Sequence, residues 1–465
     1  MRRWVVVVAL ALFAAVGCSK QNSAFCCATE ADCTANGVTD GLRPCDVGLA
    51  CIDNSCEVAS CATDGCEAAA PVCDLTSDMC SSCIENADCS RFAATPLCEP
   101  MSGGCVQCVM NADCSGTTPV CDANACRACR VDSDCPSGAC GEDGSCIAES
   151  EVLYVSPQGT DTPPCARAMP CRDPAFALQQ ITETRTHLVF TPGAYTTNSA
   201  AATSTAASVT LHGGGATVTG GNADSATFRF GVPATLHDLE VINPDVEGFA
   251  INTSATTTLQ RVTLRAPSGV ASLSSLTASD LTVHARGAGV AIRNAGTVKL
   301  DRAHLNGGAH GIVSTAGTID VTNALITNTT GVGLDFESTS GTVRFSTIAN
   351  TGTATTGTQP FGASCSTSGV TFRSSIIWTA FPVNPNTREP VYICSLFDGG
   401  TIVGPKPVGG AASTDPSFID AVANNFHLNG NSPARDKVDT GPTVDFEGDP
   451  RPRGARFDVG ADEAP

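Results

Sequence analysis

Aromatic side chains are scarce: they make up 5% of the 465 residues, with only 2 tryptophans and 3 tyrosines. Trp4 lies in the leading apolar run, so Trp378, Tyr154, Tyr195 and Tyr392 remain, too few for a broad platform stacking on sugar rings. Basic residues are scarce as well, with 26 Lys and Arg against 46 Asp and Glu, a net charge of -20. That balance argues against nucleic acid and anionic membrane surfaces, both of which need basic patches. No histidine precedes His187, and no long apolar run follows Val16. The first absence disfavours zinc among the N-terminal cysteines, and the second leaves no later membrane-spanning stretch. A nucleophile elbow, a phosphate loop and a dinucleotide fingerprint are all missing.

What is present begins with an export signal. Arg2 and Arg3 precede an apolar run from Trp4 to Val16, which ends Ala15-Val16-Gly17-Cys18-Ser19. These residues resemble a bacterial lipobox, which implies lipidation at Cys18 after removal of residues 1–17 and attachment to a membrane through the lipid. Residues 18–25 read as a tether. Residues 26–150 hold 20 acidic residues, four arginines and no lysine, and 22 of the 27 cysteines. Cysteines in even clusters suit an oxidising compartment. A four-cysteine module repeats from Cys61, Cys83, Cys108 and Cys129, after a divergent unit holding Cys26, Cys27, Cys33, Cys45, Cys51 and Cys56. Modules of ~20 residues build no core and depend on crosslinks, so this segment is expected to be a disulfide-rich stalk of unassigned connectivity. It resembles the cysteine-rich repeats of bacterial surface lipoproteins. An acidic residue recurs before the second cysteine (Asp32, Asp88, Asp113, Asp134) and is read as a turn cap in preference to a Ca2+ ligand. No other cofactor is expected.

From residue 151 the pattern changes. Five short segments recur about every ~21 residues: GFAIN at Gly248, GVASL at Gly269, GVAIR at Gly289, GIVST at Gly311 and GLDFE at Gly333. Each is followed by a second short strand, and such units must stack to bury their apolar side. The expected fold is all-β, a parallel β-helix over residues 196–411. Residues 151–195 supply a cap and first coil, including a small loop through Cys165 and Cys171 and a helix started by Asp173 and Pro174. The order of Tyr154-Val155-Ser156-Pro157, this helix, and Pro192-Gly193-Ala194-Tyr195 resembles the start of right-handed β-helices of the pectate-lyase-like superfamily. The closing series in 412–465, with Asp445-Phe446-Glu447-Gly448-Asp449-Pro450-Arg451 and Asp458-Val459-Gly460-Ala461-Asp462-Glu463, resembles the choice-of-anchor Q family. That resemblance implies fold and export. Cys365 and Cys394 are expected to tie the long loops after Gly352 together.

Stacked in register, the repeats align charges of alternating sign. One column reads Asp238, Arg261, Asp280, Arg302, Asn323, and an offset one Lys299, Asp320, Arg344. These are expected to form structural ladders that oppose slippage. The candidates for catalysis are few: Asp335 and Glu337 on one side of a strand, with Arg293, His310 and Arg344. Ala309-His310-Gly311 and Ala291-Ile292-Arg293 echo, without matching, the Gly-His-Gly and Arg-Ile-Lys of enzymes resembling polygalacturonases. Trp378 and Tyr392 are the candidate ligand platform. His212, His237, His284 and His304 are scattered with no metal-ligand spacing, so no metal is expected. The reading is a non-enzymatic, lipid-anchored envelope protein, periplasmic or surface-exposed at the outer membrane, contacting a polysaccharide or a surface protein. The alternative is a lyase or hydrolase acting on acidic polysaccharide.

Overall fold

The computed structural model describes residues 49–52, 55–58, 61, 65–77, 79–198, 200–202, 207–220, 226–349, 362–366, 369–378, 396–398, 400–404 and 414–465. They fall into two compact units, residues 1–129 with 143–145, and residues 130–142 with 146–465. Cys18, Tyr392 and Cys394 lie outside the described residues.

The first unit is a series of disulfide-stapled hairpins. Val72–Asp74 pairs with Met79–Ser81, Leu97–Glu99 with Gly104–Val106, and Val120–Asp122 with Ala125–Arg127. In each hairpin the third and fourth cysteines of a module sit opposite one another, as Cys98 does Cys105. Both reach back to the preceding segment: Cys61–Cys73, Cys66–Cys80, Cys83–Cys98, Cys89–Cys105, Cys108–Cys121 and Cys114–Cys126. The connectivity is thus first to third and second to fourth in three successive modules. The recurring acid holds the turn between the first two cysteines. Asp88 Oδ2 accepts from the amides of Ile84 and Glu85 at 2.8 and 3.1 Å, and Asp113 Oδ2 from those of Val109 and Met110 at 2.8 and 2.9 Å. These backbone hydrogen bonds hold both carboxyls below their usual pKa.

The second unit is a parallel β-solenoid. Its cap helix, Pro174–Gln179, begins as expected, Asp173 accepting from the Ala175 amide at 2.8 Å, and the Cys165–Cys171 disulfide closes the loop before it. Register partners on the eight-stranded sheet run Phe228, Ile251, Val270, Ile292, Ile312, Leu334, Ala363, with 19 to 22 residues per coil between Ile251 and Leu334. The larger sheet supplies two more inward columns. One is Leu188, Leu211, Leu236, Leu259, Ala278, Leu300, Val321, Val343, Phe372. The other is Val218, Val241, Leu264, Val283, Leu305, Ile326, Ile348, Ile377. These residues are buried, and each column stacks like on like at the ~4.8 Å strand spacing. Between the two columns the chain bends through one left-handed residue per coil: Asp238, Arg261, Asp280, Arg302, Asn323, Phe345 and Ser374 all have φ between 46 and 56°.

The unit boundary differs from the sequence reading, which ended the stalk at residue 150. Arg130–Glu142, the heart of the fourth module, packs with the solenoid. The Tyr154 hydroxyl donates to the Ser137 carbonyl at 3.0 Å, and Ala139 is buried with Val152, Tyr154 and Val189. Apolar contact with the first coil decides the affiliation, which cysteine spacing does not reveal. Among the described residues no helix is long and apolar enough to cross a membrane.

Candidate functional site

The bend column is the charge column read from the sequence. Arg261 clasps Asp238 in two hydrogen bonds, Nε to Oδ1 at 2.6 Å and Nη2 to Oδ2 at 2.7 Å. Arg302 holds Asp280 the same way at 2.6 and 2.8 Å, and its Nη1 reaches Asp301 at 2.5 Å. A positive φ is costly for arginine, and bidentate pairing offsets part of that cost. The column is therefore two closed pairs, since no ion pair joins Arg261 to Asp280 among the described residues. The offset column needs correction. Lys299 and Asp320 are register partners, whereas Arg344 stands beside Thr322 and reaches Asp320 diagonally at 3.3 Å. A bulge-free register places Asp320 beside Thr342 instead.

The catalytic candidates converge only in part: His310 lies within reach of the charges of Asp335 and Arg293, whereas Arg344 stands apart on another sheet. Arg293, Val313, Asp335 and Ser364 follow one another across the eight-stranded sheet, so Arg293 and Asp335 stand two strands apart. His310 and Glu337 share that sheet, but Arg344 belongs to the larger one. Burial lowers the His310 pKa, with the Asp335 charge opposing and the Arg293 charge adding to the shift, and its buried Nδ1 has no hydrogen bond among the described residues. Trp378 is half-buried against Ile376, Ile402 and Val459, and so packs the solenoid's end. Cys365 is buried beside Phe336.

A different group does converge, around Asp132 of the fourth module. In the second and third modules the equivalent residue is asparagine. Asn86 Oδ1 accepts from the Cys98 amide and Asn111 Oδ1 from the Cys121 amide, each at 2.9 Å. Asp132 Oδ1 accepts from the Cys140 amide at the same 2.9 Å, but its carboxylate also meets two histidines of the solenoid. His212 Nδ1 lies 2.8 Å from Oδ1, and His237 Nδ1 lies 3.5 Å from Oδ2. The two histidines are register partners on adjacent coils, with ring centroids 4.5 Å apart, and both are buried. His187 Nδ1 meets His212 Nε2 at 3.0 Å, and His237 Nδ1 also lies 3.1 Å from Asp238 Oδ2. Burial opposes the Asp132 charge, but the His212 hydrogen bond and charge, the Cys140 amide and the His237 charge together lower its pKa. Burial and the neighbouring His212 push His187 down to about 4, so it is neutral near pH 7, and the same causes lower the His237 pKa.

An open cleft of about 560 Å³ adjoins this cluster, lined among others by Asp132, Ser133, Thr217, Asp238, Glu240 and Arg261. Its acids are already engaged. Asp238 holds Arg261, while Glu240 accepts from Arg265 Nε at 2.7 Å and from the Thr217 hydroxyl at 3.0 Å. Asp132, His212 and His237 could hold a metal ion, since their ligating atoms lie within 4.8 Å of one another. The sequence reading finds no metal-ligand spacing among the histidines. Linear spacing misses this set because Asp132 and His212 are 80 residues apart. One signal was present: aspartate at Asp132 where the two modules before it carry Asn86 and Asn111.

The closing region covers the later part of the bend column. Asn323 Nδ2 donates to the Val444 carbonyl at 3.0 Å, and the Gly460 amide donates to the Ser374 carbonyl at 2.9 Å. Its anchor is Arg451, wholly buried, with Nε 2.7 Å from Glu463 Oε2 and the guanidinium 5.0 Å above the Phe345 ring.

Comparison with known proteins adds little beyond this geometry. A family of unknown function, DUF8331, matches residues 58–152. No curated protein matches. Among solved structures, the crystal structure of pectate lyase Pel9A aligns at 13% identity with a TM-score of 0.40, covering 69% of this chain and 98% of that one. This is a distant likeness of fold and bears on no residue of the site.

Proposed function

We propose that this chain is an exported, lipid-anchored envelope protein whose solenoid binds a polysaccharide at the cleft between Asp132 and Arg261 without cleaving it. The observation that carries this reading is the pairing of the cleft's charges. Asp238 and Glu240 are each held by an arginine, Arg261 and Arg265. Paired in this way, Asp238 and Glu240 present fixed donors and acceptors to hydroxyls and carboxylates but are held back from acting as acid and base in bond breaking. The half-exposed guanidinium of Arg261 is the group best placed to meet an acidic sugar. Eight described disulfides support an oxidising compartment, consistent with the export signal and lipidation at Cys18 read from the sequence.

The test is to incubate the full chain with acidic polysaccharides, following binding by calorimetry and cleavage by reducing ends and unsaturated uronates. Binding without product, weakened by Arg261→Ala, supports the proposal. Product formation abolished by Asp335→Asn or Glu337→Gln would replace it with the lyase or hydrolase reading.

A further inference from the structure

We propose that Asp132, His212 and His237 form a binding site for one divalent transition-metal ion of the zinc class, with a remaining coordination position turned toward the cleft. The inference is independent of the polysaccharide reading.

The donor set is the first argument. Two imidazoles and one carboxylate suit zinc and its borderline neighbours, whereas calcium takes oxygen ligands alone. The ligating atoms lie within 4.8 Å of one another. Donors around a tetrahedral ion with bonds of about 2.0–2.1 Å stand about 3.3 Å apart. His212 Nδ1 lies 2.8 Å from Asp132 Oδ1 and His237 Nδ1 lies 3.5 Å from Oδ2, each near that spacing though to different oxygens of the carboxylate, so side-chain adjustment would bring one oxygen and both imidazoles onto the ion.

The second argument is the surrounding support. Metal-bound histidines ordinarily give their other ring nitrogen to a fixed partner. His212 does so, its Nε2 meeting His187 Nδ1 at 3.0 Å, and the Cys140 amide holds Asp132 Oδ1 at 2.9 Å. Binding at His237 Nδ1 would release its contact with Asp238, which keeps both bonds from Arg261.

A third observation points to a ligand directly. Asp132 Oδ2 receives no hydrogen bond among the described residues and faces His237 Nδ1 at 3.5 Å. The amide-binding role of this position needs only one oxygen, as Asn86 and Asn111 show. The second oxygen and the charge set Asp132 apart from Asn86 and Asn111 of the second and third modules. Because Asp132 and Glu240 also line the cleft, the ion would stand at its wall with room for water or a ligand oxygen.

The test uses the full chain, stripped with a chelator and titrated with Zn2+ or Co2+. One equivalent is expected to bind, with Co2+ developing the absorption of a four-coordinate site. Asp132→Asn retains an oxygen for the Cys140 amide, and with His237→Gln it should bind at least tenfold more weakly while circular dichroism is unchanged. X-ray absorption at the zinc edge of the unaltered chain needs no variant and should show two imidazoles. Absence of stoichiometric binding, unchanged affinity in both variants, or a shell lacking imidazole would each overturn the site.

Discussion

Arg451 is the residue on which the closing region most depends. Its guanidinium and the Glu463 carboxylate are both shut off from solvent, and it also donates to the carbonyls of Asp458 and Gly460 at 2.9 and 3.3 Å. Removing one partner of a buried pair strands the other charge. Arg451→Ala is expected to lower unfolding free energy by about 3–5 kcal/mol, read from urea unfolding. Glu463→Gln, which keeps an acceptor, should cost less. A surface pair behaves otherwise. Arg261 and Asp238 are substantially exposed, and a double-mutant cycle between them should give a coupling below about 1 kcal/mol. The sequence indicated the Asp238–Arg261 pairing through the charge column but not the Arg451–Glu463 pair. Burial separates the two.

The same scale sets a pH dependence. Burial disfavours charge on His427, but the 2.8 Å contact with Asp462, and the charges of Asp462, Glu447 and Asp445, raise its pKa. A raised histidine contributes stability below its unfolded value of about 6.5, and loses it as pH rises through the folded value. Asp445, Glu447 and Asp458 are raised chiefly by burial, and they too favour the protonated fold. Amides of Phe418–Asp420 and Asn425–Leu428 should therefore open less often at about pH 6 than at about pH 8.5, once intrinsic exchange rates are corrected. Equal or greater opening at the lower pH would contradict this.

At the scale of elements, period was the legible quantity. The ~21-residue recurrence placed strands from Phe249–Thr253 to Leu334–Glu337 and the inward columns follow from it. The left-handed bend was hidden, because Asp, Arg and Asn at that position look like ordinary surface residues. Its consequence is that the charge column forms pairs rather than a continuous network. For the cysteine modules, spacing indicated crosslinks but not partners, since four cysteines allow three connectivities. The hairpin sets the third and fourth cysteines opposite each other, and the first and second cysteines reach them in that order. Replacing Cys89 and Cys105 by serine removes a closure of 16 residues and should cost that module about 3 kcal/mol, measurable by its susceptibility to proteolysis.

For the whole molecule, the solenoid was legible and the site was not. Apolar alternation reports on a core that every coil builds alike. The cleft arises where a module of different origin in the chain meets the first coils, and no local pattern encodes that meeting. Asp132 shows this most clearly, since its module is continuous in spacing with those before it yet its carboxylate faces His212 and His237. The bend column changes partners along the solenoid: Asp238 lies beside the cleft, Arg302 pairs within the column, and Asn323 binds the closing region. Function is therefore expected where that column meets the fourth module.

Everything proposed for the cleft requires Arg130–Glu142 to fold with the solenoid. Hydrogen exchange on the intact chain, resolved to single amides, tests this directly. The Cys140 amide, bonded to Asp132, should exchange in the same slow cooperative step as the amides of Leu211 and His212 in the adjoining coil. Exchange of Cys140 at the rate of an exposed turn, while Leu211 and His212 remain protected, would contradict the account.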